Sequence, residues 1–139
     1  MHVIKLTILS LSAVIVLLAV TIFPQRLCFD GGKSYTFYCG TSSKDCKVVT
    51  VSQNAFAEKL CLKNVCGESC DYDNFELEPF LMELGAEIVF VEELSDSVNY
   101  YCTANLPYSV SLYGKEINLH ISVHGDVARV ASPIIFGGY

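Results

Sequence analysis

Cysteine is the residue type in this chain with the widest chemistry, because its thiolate binds soft metals and takes part in redox reactions. The sequence has 139 residues and seven cysteines. Three of them, Cys61, Cys66 and Cys70, lie close together. Their spacing is not that of a zinc finger, and no two cysteines have the two-residue separation common in structural zinc sites. They are therefore weak candidates for a thiol-based redox or metal site, and we predict no cofactor.

The cysteines could instead form disulfides, since an oxidising environment outside the cytoplasm pairs most thiols. Cys39 and Cys46 flank a polar turn between two β-rich runs, so they could face each other across a hairpin. Seven is an odd number, so at least one cysteine would stay free or pair with another chain. Cys39 and Cys46 are therefore the candidate disulfide pair.

Histidine is the other residue type that could carry catalysis, and the sequence has His2, His120 and His124. A nucleophilic mechanism needs a base beside a serine or a cysteine, and the sequence gives no reason to place them together. His120 and His124 are four residues apart on a predicted strand, a distance of roughly 13 Å, so they could not bind one ion. We predict that the protein is not an enzyme.

These two histidines belong to the most regular part of the sequence, residues 116–124. Apolar and polar side chains alternate there, which is typical of an antiparallel strand with one buried and one polar face. The apolar members are Ile117, Leu119, Ile121 and Val123, and the polar members are Asn118, His120, Ser122 and His124. We expect the polar set to face water or a protein partner.

Tight turns limit this strand at both ends. Gly114-Lys115 and Gly125-Asp126 each suit a two-residue type II′ turn, since glycine accepts the positive φ of the first position. Strands are therefore predicted on both sides, over residues 108–113 and 127–135. Pro133 has no amide hydrogen to donate, so the last strand either lies at an edge of the sheet or ends near this residue.

Two stretches near the C-terminus carry a family resemblance. Ile117-Asn-Leu-His-Ile-Ser122 and Val130-Ala-Ser-Pro-Ile-Ile135, with Tyr139 after them, resemble the ending of the YwmB family of spore-forming Firmicutes. His120 stands where that family tends to have glutamine. The resemblance implies a secreted or membrane-anchored protein with a curved antiparallel sheet, similar to the TATA-box-binding-protein fold, and no established biochemical function. An anaerobic host of this kind would leave all seven cysteines as thiols that act as small buried hydrophobic residues.

The rest of the chain predicts further strands and two short helices. β-favouring residues indicate strands over residues 33–39, 46–51, 87–91 and 98–103. Helices are predicted over residues 55–64 and 77–84, with Pro79 in a first turn and Gly85 as a C-terminal cap. The polar residues 68–74 predict a loop. The sequence thus indicates an α+β domain, mostly an antiparallel curved sheet with two short helices on one face.

An uncharged apolar run, Leu6 to Phe23, precedes this domain. As a helix it would be roughly 27 Å long, close to the thickness of a bilayer core. We predict a signal anchor or signal peptide over residues 1–24, a linker over 25–32 and a single extracytoplasmic domain over 33–139. A single-pass anchor in the cell membrane through residues 6–23 is preferred. Secretion after signal cleavage and a buried core helix are the alternatives.

The charge excludes the function that the fold similarity suggests. The net charge is −6, and residues 65–114 contain ten acidic residues and no lysine or arginine. Nucleic-acid binding needs a basic surface, so we predict no nucleic-acid partner. The leading prediction is a membrane-anchored, non-catalytic interaction or structural module of the cell envelope, which could take an envelope protein by strand addition. The alternative is a thiol-based redox or metal-binding protein.

Overall fold

The computed structural model describes residues 2–22, 25–42 and 44–136. Tyr139, on which the family resemblance partly rests, and Phe23, the end of the predicted apolar run, lie outside these residues. The helices within the described ranges are α1 His2–Ile22, α2 Ala55–Cys61 and α3 Leu77–Leu84. The strands are β1 Ser34–Cys39, β2 Lys47–Val51, β3 Val65–Asp73, β4 Glu87–Glu93, β5 Val98–Thr103, β6 Val110–Leu112, β7 Lys115–Ile117, β8 Leu119–His124 and β9 Val127–Ser132.

Seven of these strands form one sheet in the order β2-β1-β3-β9-β8-β5-β4. Each neighbouring pair in the sheet is antiparallel. The strands β6 and β7 form a separate two-stranded hairpin. The predicted α+β class with a mostly antiparallel sheet is confirmed. Among the described strands, β2 and β4 are the two edges of the large sheet.

The core lies on one face of the sheet, which we call the core face. Its register is shown by one row of neighbours across five strands, Tyr35, Cys70, Val130, Ile121 and Tyr100. The two short helices contribute Ala55 and Leu81 to the same hydrophobic cluster. Burial of these apolar side chains is the main favourable term of folding, and it places α2 and α3 over the core face.

The helix α3 has the predicted bounds, because each end carries a local signal. Pro79 lies in the first turn, where no intrahelical amide donor is lost. Gly85 has a φ of 58° and donates its N–H to the carbonyls of Leu81 and Met82, as a left-handed C-terminal cap does. The helix α2 begins at Ala55 as expected but ends at Cys61, because Leu62 is already extended.

The predicted loop over residues 68–74 is wrong, since β3 runs from Val65 to Asp73 and lies between β1 and β9. The loop was predicted because the residues of this segment are mostly polar. Its Glu68 is neutralised by Lys59 and its Asp71 by Arg129, so the segment carries acidic residues and still occupies an inner position. A bulge at Cys66 interrupts its pairing with β1.

The predicted strand over residues 116–124 is divided at Asn118 into β7 and β8. The Asn118 side chain accepts a hydrogen bond from the N–H of Ala104 and donates one to the carbonyl of the same residue. These two side-chain hydrogen bonds take the place of strand pairing at this position. The turn before β7 lies one residue earlier than predicted, at Tyr113-Gly114. Both residues have a positive φ, 52° and 74°, which is the type I′ pattern rather than type II′. The second predicted turn, Gly125-Asp126, is confirmed.

The strand β9 ends at Ser132, directly before Pro133, as one of the two predictions for this proline required. It pairs with both β3 and β8, so it lies inside the sheet and not at an edge.

The segment predicted as a linker is largely part of the folded domain. Cys28 and Phe29 are buried, with exposed fractions of 9% and 2%.

In the helix α1, the window Ile4–Thr21 is long and apolar enough to cross a membrane, a test that a signal sequence also passes. None of that window is buried against the described chain, so the alternative of a core helix is wrong.

Candidate functional site

The predicted cysteine cluster is spread over two elements. Cys61 ends α2 and is exposed, while Cys66 and Cys70 lie on β3, the first exposed and the second buried. The Cys66 thiol donates to the carbonyl of Tyr38 at 3.3 Å. Within residues 2–22, 25–42 and 44–136, no group of three or more His, Cys, Asp or Glu side chains is arranged to hold a metal ion.

The candidate disulfide residues are free thiols in the structure. Cys39 is buried at the end of β1, where its partner across the hairpin is Lys47, and Cys46 is exposed beside that lysine. Their oxidation stays a prediction.

The buried thiols are held in their protonated form. Burial raises the pKa of Cys28 to about 12, and the nearby Glu68 carboxylate acts in the same direction. Burial also raises the pKa of Cys70 to about 12 and that of Cys102 to about 11. Because the thiolate is the nucleophile and the metal ligand, these thiols are unreactive at neutral pH.

The polar residues expected to face water or a partner are mostly buried, so that expectation is wrong. Asn118, His120 and Ser122 have exposed fractions of 9%, 2% and 1%, and His124 is half-buried. The reason is tertiary, because chain beyond β9 folds back over this side of β8. The N–H of Ile135 donates to His120 Nδ1 at 3.2 Å.

His120 is a packed interior group. Its ring stacks on that of Tyr101, with centroids 4.4 Å apart, and Tyr101 stacks in turn on Phe90 at 4.4 Å. Its Nε2 lies 3.3 Å from Asn99 Oδ1. Burial lowers the pKa of His120 to about 4, so the ring is neutral at physiological pH.

A buried ion pair is the most unusual polar feature of the described chain. Lys59 of α2 and Glu68 of β3 are 2.7 Å apart, and their side chains are only 2% and 0% exposed. Lys59 Nζ also donates to the carbonyl of Arg26 at 2.6 Å. The N–H of Cys28 donates to Glu68 Oε1 at 2.9 Å. The pair therefore fastens the segment after α1 to a helix and to an inner strand.

Sequence reasoning missed this pair. Lys59 lies in the predicted helix over residues 55–64, and Glu68 lies in the predicted loop over residues 68–74. No local pattern marks them as partners, because their contact depends on how α2 packs against the sheet.

A cleft of about 700 Å³ opens beside the ion pair. We call it the entry cleft, because the chain enters the domain there from α1. Its apolar walls come from α2, α3 and the loop after β5, and its charged groups are Arg26, Asp30 and Glu83. The lining residues are Arg26, Leu27, Cys28, Asp30, Phe56, Glu83, Leu84, Asn105, Leu106 and Pro107.

The edge strand β4 is the second accessible feature. Ile88 and Val91 are 44% and 46% exposed, and both pair with β5 residues on the core face. Glu87 and Glu92 lie on the opposite face and are exposed. The Tyr101 hydroxyl donates to Glu92 Oε2 at 3.3 Å. The edge thus presents Ile88 and Val91 on the core face, with Glu93 at its end, and Glu87 and Glu92 on the opposite face, with Phe90 between them.

Comparison with known proteins adds no family or fold relative to this geometry. No protein-family model matches the chain, and no curated protein or solved structure matches it.

Proposed function

We propose that this protein is a membrane-anchored, non-catalytic interaction module of the cell envelope, which binds an extended partner segment along β4. The observation that carries the proposal is the open edge of β4 with its two half-exposed apolar residues, Ile88 and Val91. An edge strand has unpaired backbone donors and acceptors, and an added strand satisfies them.

The two sides of β4 define the partner. A strand added here would place every second side chain beside Ile88 and Val91, and the others beside Glu87 and Glu92. Apolar residues suit the first positions, and lysine or arginine suits the second. The partner is therefore an extended segment in which apolar and basic residues alternate.

The same carboxylates protect the edge from nonspecific association. Charged residues on edge strands reduce uncontrolled pairing with other chains. A partner without basic residues would bury Glu87 and Glu92 without compensation, which is unfavourable. The carboxylates of Glu87 and Glu92 therefore both favour a basic partner and reduce nonspecific pairing at β4.

The anchor in this proposal is α1, inserted through Ile4–Thr21 with the domain on the extracytoplasmic side. Its length and apolar composition support insertion. The YwmB-like residues Ile117–Ser122 support an envelope location. Secretion after cleavage is the alternative outcome for this segment.

The partner proposal is tested with the full chain in lipid nanodiscs and a short synthetic peptide of alternating valine and lysine. We expect saturable binding by fluorescence anisotropy. The double variant Glu87→Lys/Glu92→Lys should bind about tenfold more weakly, since two charge pairs are replaced by repulsion. Glu58→Lys/Glu116→Lys is the matched control, because both residues are exposed outside β4.

Backbone N-methylation of the peptide removes the hydrogen-bond donors that strand addition requires, so the methylated peptide should not bind. Equal binding by both double variants, or by the methylated peptide, would contradict the proposal. Self-association of the unliganded chain would identify a second copy as the occupant, in place of an envelope protein.

A further inference from the structure

The distance between α1 and the folded domain is limited by the buried ion pair. The last residue of α1 is Ile22, and Arg26 is already bound through its carbonyl to Lys59 Nζ at 2.6 Å. Even a fully extended chain advances only about 3.3–3.6 Å per residue, so these four steps cover at most about 14 Å. Arg26 lines the entry cleft, so this part of the cleft must lie within that distance of the helix end.

The connection cannot lengthen without breaking buried contacts. Cys28 and Phe29 are core residues, and the N–H of Cys28 is bound to Glu68. Releasing this segment would leave a buried carboxylate and a buried ammonium with fewer partners, which is strongly unfavourable. The folded domain is therefore tethered to α1 by at most about 14 Å of chain, at the part of the cleft that Arg26 lines.

The thickness of the bilayer layers determines which part of a lipid lies next to the cleft. The headgroup layers add about 5–8 Å on each side of the hydrocarbon core. If α1 spans the core, as the proposed function requires, the cleft rim at Arg26 lies within about 14 Å of the hydrocarbon, in the headgroup layer or just outside it. Phe56, 41% exposed, is on that rim together with Leu84, Leu106 and Pro107. Phenylalanine and leucine side chains of interfacial segments are buried at the boundary between headgroups and acyl chains.

We propose that the entry cleft is a lipid-contacting surface, in which Phe56 and Leu106 touch the acyl boundary and the cleft receives phospholipid headgroups. Asp30 and Glu83 place two carboxylates in the cleft against one guanidinium, that of Arg26. This balance favours a headgroup with a free amine, such as phosphatidylethanolamine, over an anionic headgroup such as phosphatidylglycerol. The inference rests on the proposed anchoring of α1 and adds the surface and the lipid class.

The test uses the absence of tryptophan from the sequence. Phe56→Trp is made in the full chain, which is reconstituted into vesicles of phosphatidylcholine and phosphatidylethanolamine with brominated acyl chains. Bromine quenches tryptophan emission at short range. We expect the Phe56→Trp variant to lose most of its emission relative to vesicles without bromine, and Leu106→Trp to repeat the loss from another segment of the rim.

Val127→Trp is the matched control, since Val127 is 42% exposed. Val127 of β9 pairs with Asp73 of β3, and Asp73 is five residues along β3 from Glu68, or roughly 17 Å. Its emission should not change with bromine. Replacing phosphatidylethanolamine by phosphatidylglycerol should reduce the quenching of Phe56→Trp, and Asp30→Asn/Glu83→Gln should remove that dependence on the headgroup.

Flotation of the vesicles separates the two proposals. A chain that does not float with lipid would refute the anchoring of α1. A chain that floats, but shows equal quenching at Phe56→Trp, Leu106→Trp and Val127→Trp, would leave the anchor intact and overturn the cleft as a lipid surface. Equal quenching in both headgroup mixtures would overturn the amine preference.

Discussion

Lys59 Nζ lies 2.7 Å from Glu68 Oε2 in a site where both side chains are almost completely removed from solvent. The lysine belongs to α2 and the glutamate to the inner strand β3. Each group also binds the backbone of the segment that follows α1. A buried pair of this kind is weak as a source of stability, but losing one partner is costly because the other charge remains buried.

The first prediction concerns this pair. Lys59→Met should lower the free energy of unfolding by about 3–5 kcal/mol, because it leaves the Glu68 carboxylate buried without its cation. Urea unfolding of the detergent-solubilised chain, followed by tyrosine fluorescence, measures the loss. Lys59→Met/Glu68→Gln should recover part of it, since the amide oxygen can still accept the N–H of Cys28.

Asp71→Asn is the comparison for that experiment. Asp71 accepts two hydrogen bonds from Arg129 on β9, but the two side chains are 35% and 43% exposed. Partly exposed pairs contribute about 0–1 kcal/mol. If Lys59→Met is no more destabilising than Asp71→Asn, the buried pair does not hold the domain together.

The second prediction is a pH dependence from His120. Burial lowers its pKa to about 4 from an ordinary 6.5, so the unfolded chain binds a proton that the folded chain does not. Its contribution is complete above the unfolded pKa and is lost as pH falls towards the folded pKa. We expect about 2 kcal/mol less stability from His120 at about pH 5 than at about pH 7.

His120→Gln isolates this contribution, because it removes the titrating ring. The variant should show a smaller loss of stability over the same pH interval. The titration of Asp71 does not interfere with the comparison between the parent and His120→Gln. Burial raises its pKa, but the hydrogen bonds from Arg129 and Ser34 outweigh that effect and lower it below 3.8, so its contribution is lost only at more acidic pH. An identical pH dependence in the parent and His120→Gln would contradict a buried neutral His120.

The third prediction is a reactivity pattern of the cysteines. Cys46, Cys61 and Cys66 are exposed and should be alkylated rapidly in the folded chain, whereas Cys28, Cys39, Cys70 and Cys102 should react only after unfolding. Intact mass before and after denaturation, without reductant, counts both sets. The reason is access together with the high pKa of the buried thiols.

Two other outcomes of that measurement are informative. Joint loss of alkylation at Cys39 and Cys46 after denaturation would establish the disulfide between them. Protection of Cys61 and Cys66 by added zinc in the folded chain would support the thiol or metal alternative.

The fourth prediction tests how the segment after α1 packs on β3. A Cβ at Gly32 would overlap Cys70 Sγ and would lie 3.2 Å from the carbonyl oxygen of Asp71. The backbone there is held by the Lys33 N–H, which donates to the same carbonyl at 2.8 Å. Gly32→Ala should therefore lower the free energy of unfolding by about 1–3 kcal/mol through overpacking.

Thermal or urea unfolding of Gly32→Ala, Cys70→Ala and the double variant forms a double-mutant cycle. The double variant should be more stable than the sum of the single effects predicts, and strict additivity would contradict the contact.

Elements with local signals could be predicted from the sequence. The bounds of α3 follow from Pro79 and Gly85, and the strand over residues 98–103 follows from its β-favouring side chains. The turn at Gly125-Asp126 has the same origin. In each case the determining residues are close in the chain, so tertiary packing was not needed to locate the element.

Features that depend on distant partners could not be predicted. The polar face of β8 was expected to be exposed, because alternation shows that two faces differ but not what covers them. The acidic segment of β3 was expected to be a loop because its residues are polar. The residues that neutralise it, Lys59 and Arg129, belong to other elements. Both errors concern polar groups whose burial depends on a partner far along the chain.

The sequence by itself determined the apolar helix, the α+β class, the acidic balance and the absence of a recognisable catalytic pattern, since composition and short-range periodicity carry this information. Only the tertiary structure decided that β3 is an inner strand, that β4 is an edge, and that residues 26–29 are fastened to the domain beside α1. The physical reason is that a buried charge is tolerated only with its partner in place. The partners Lys59 and Glu68 meet only when the helix packs on the sheet.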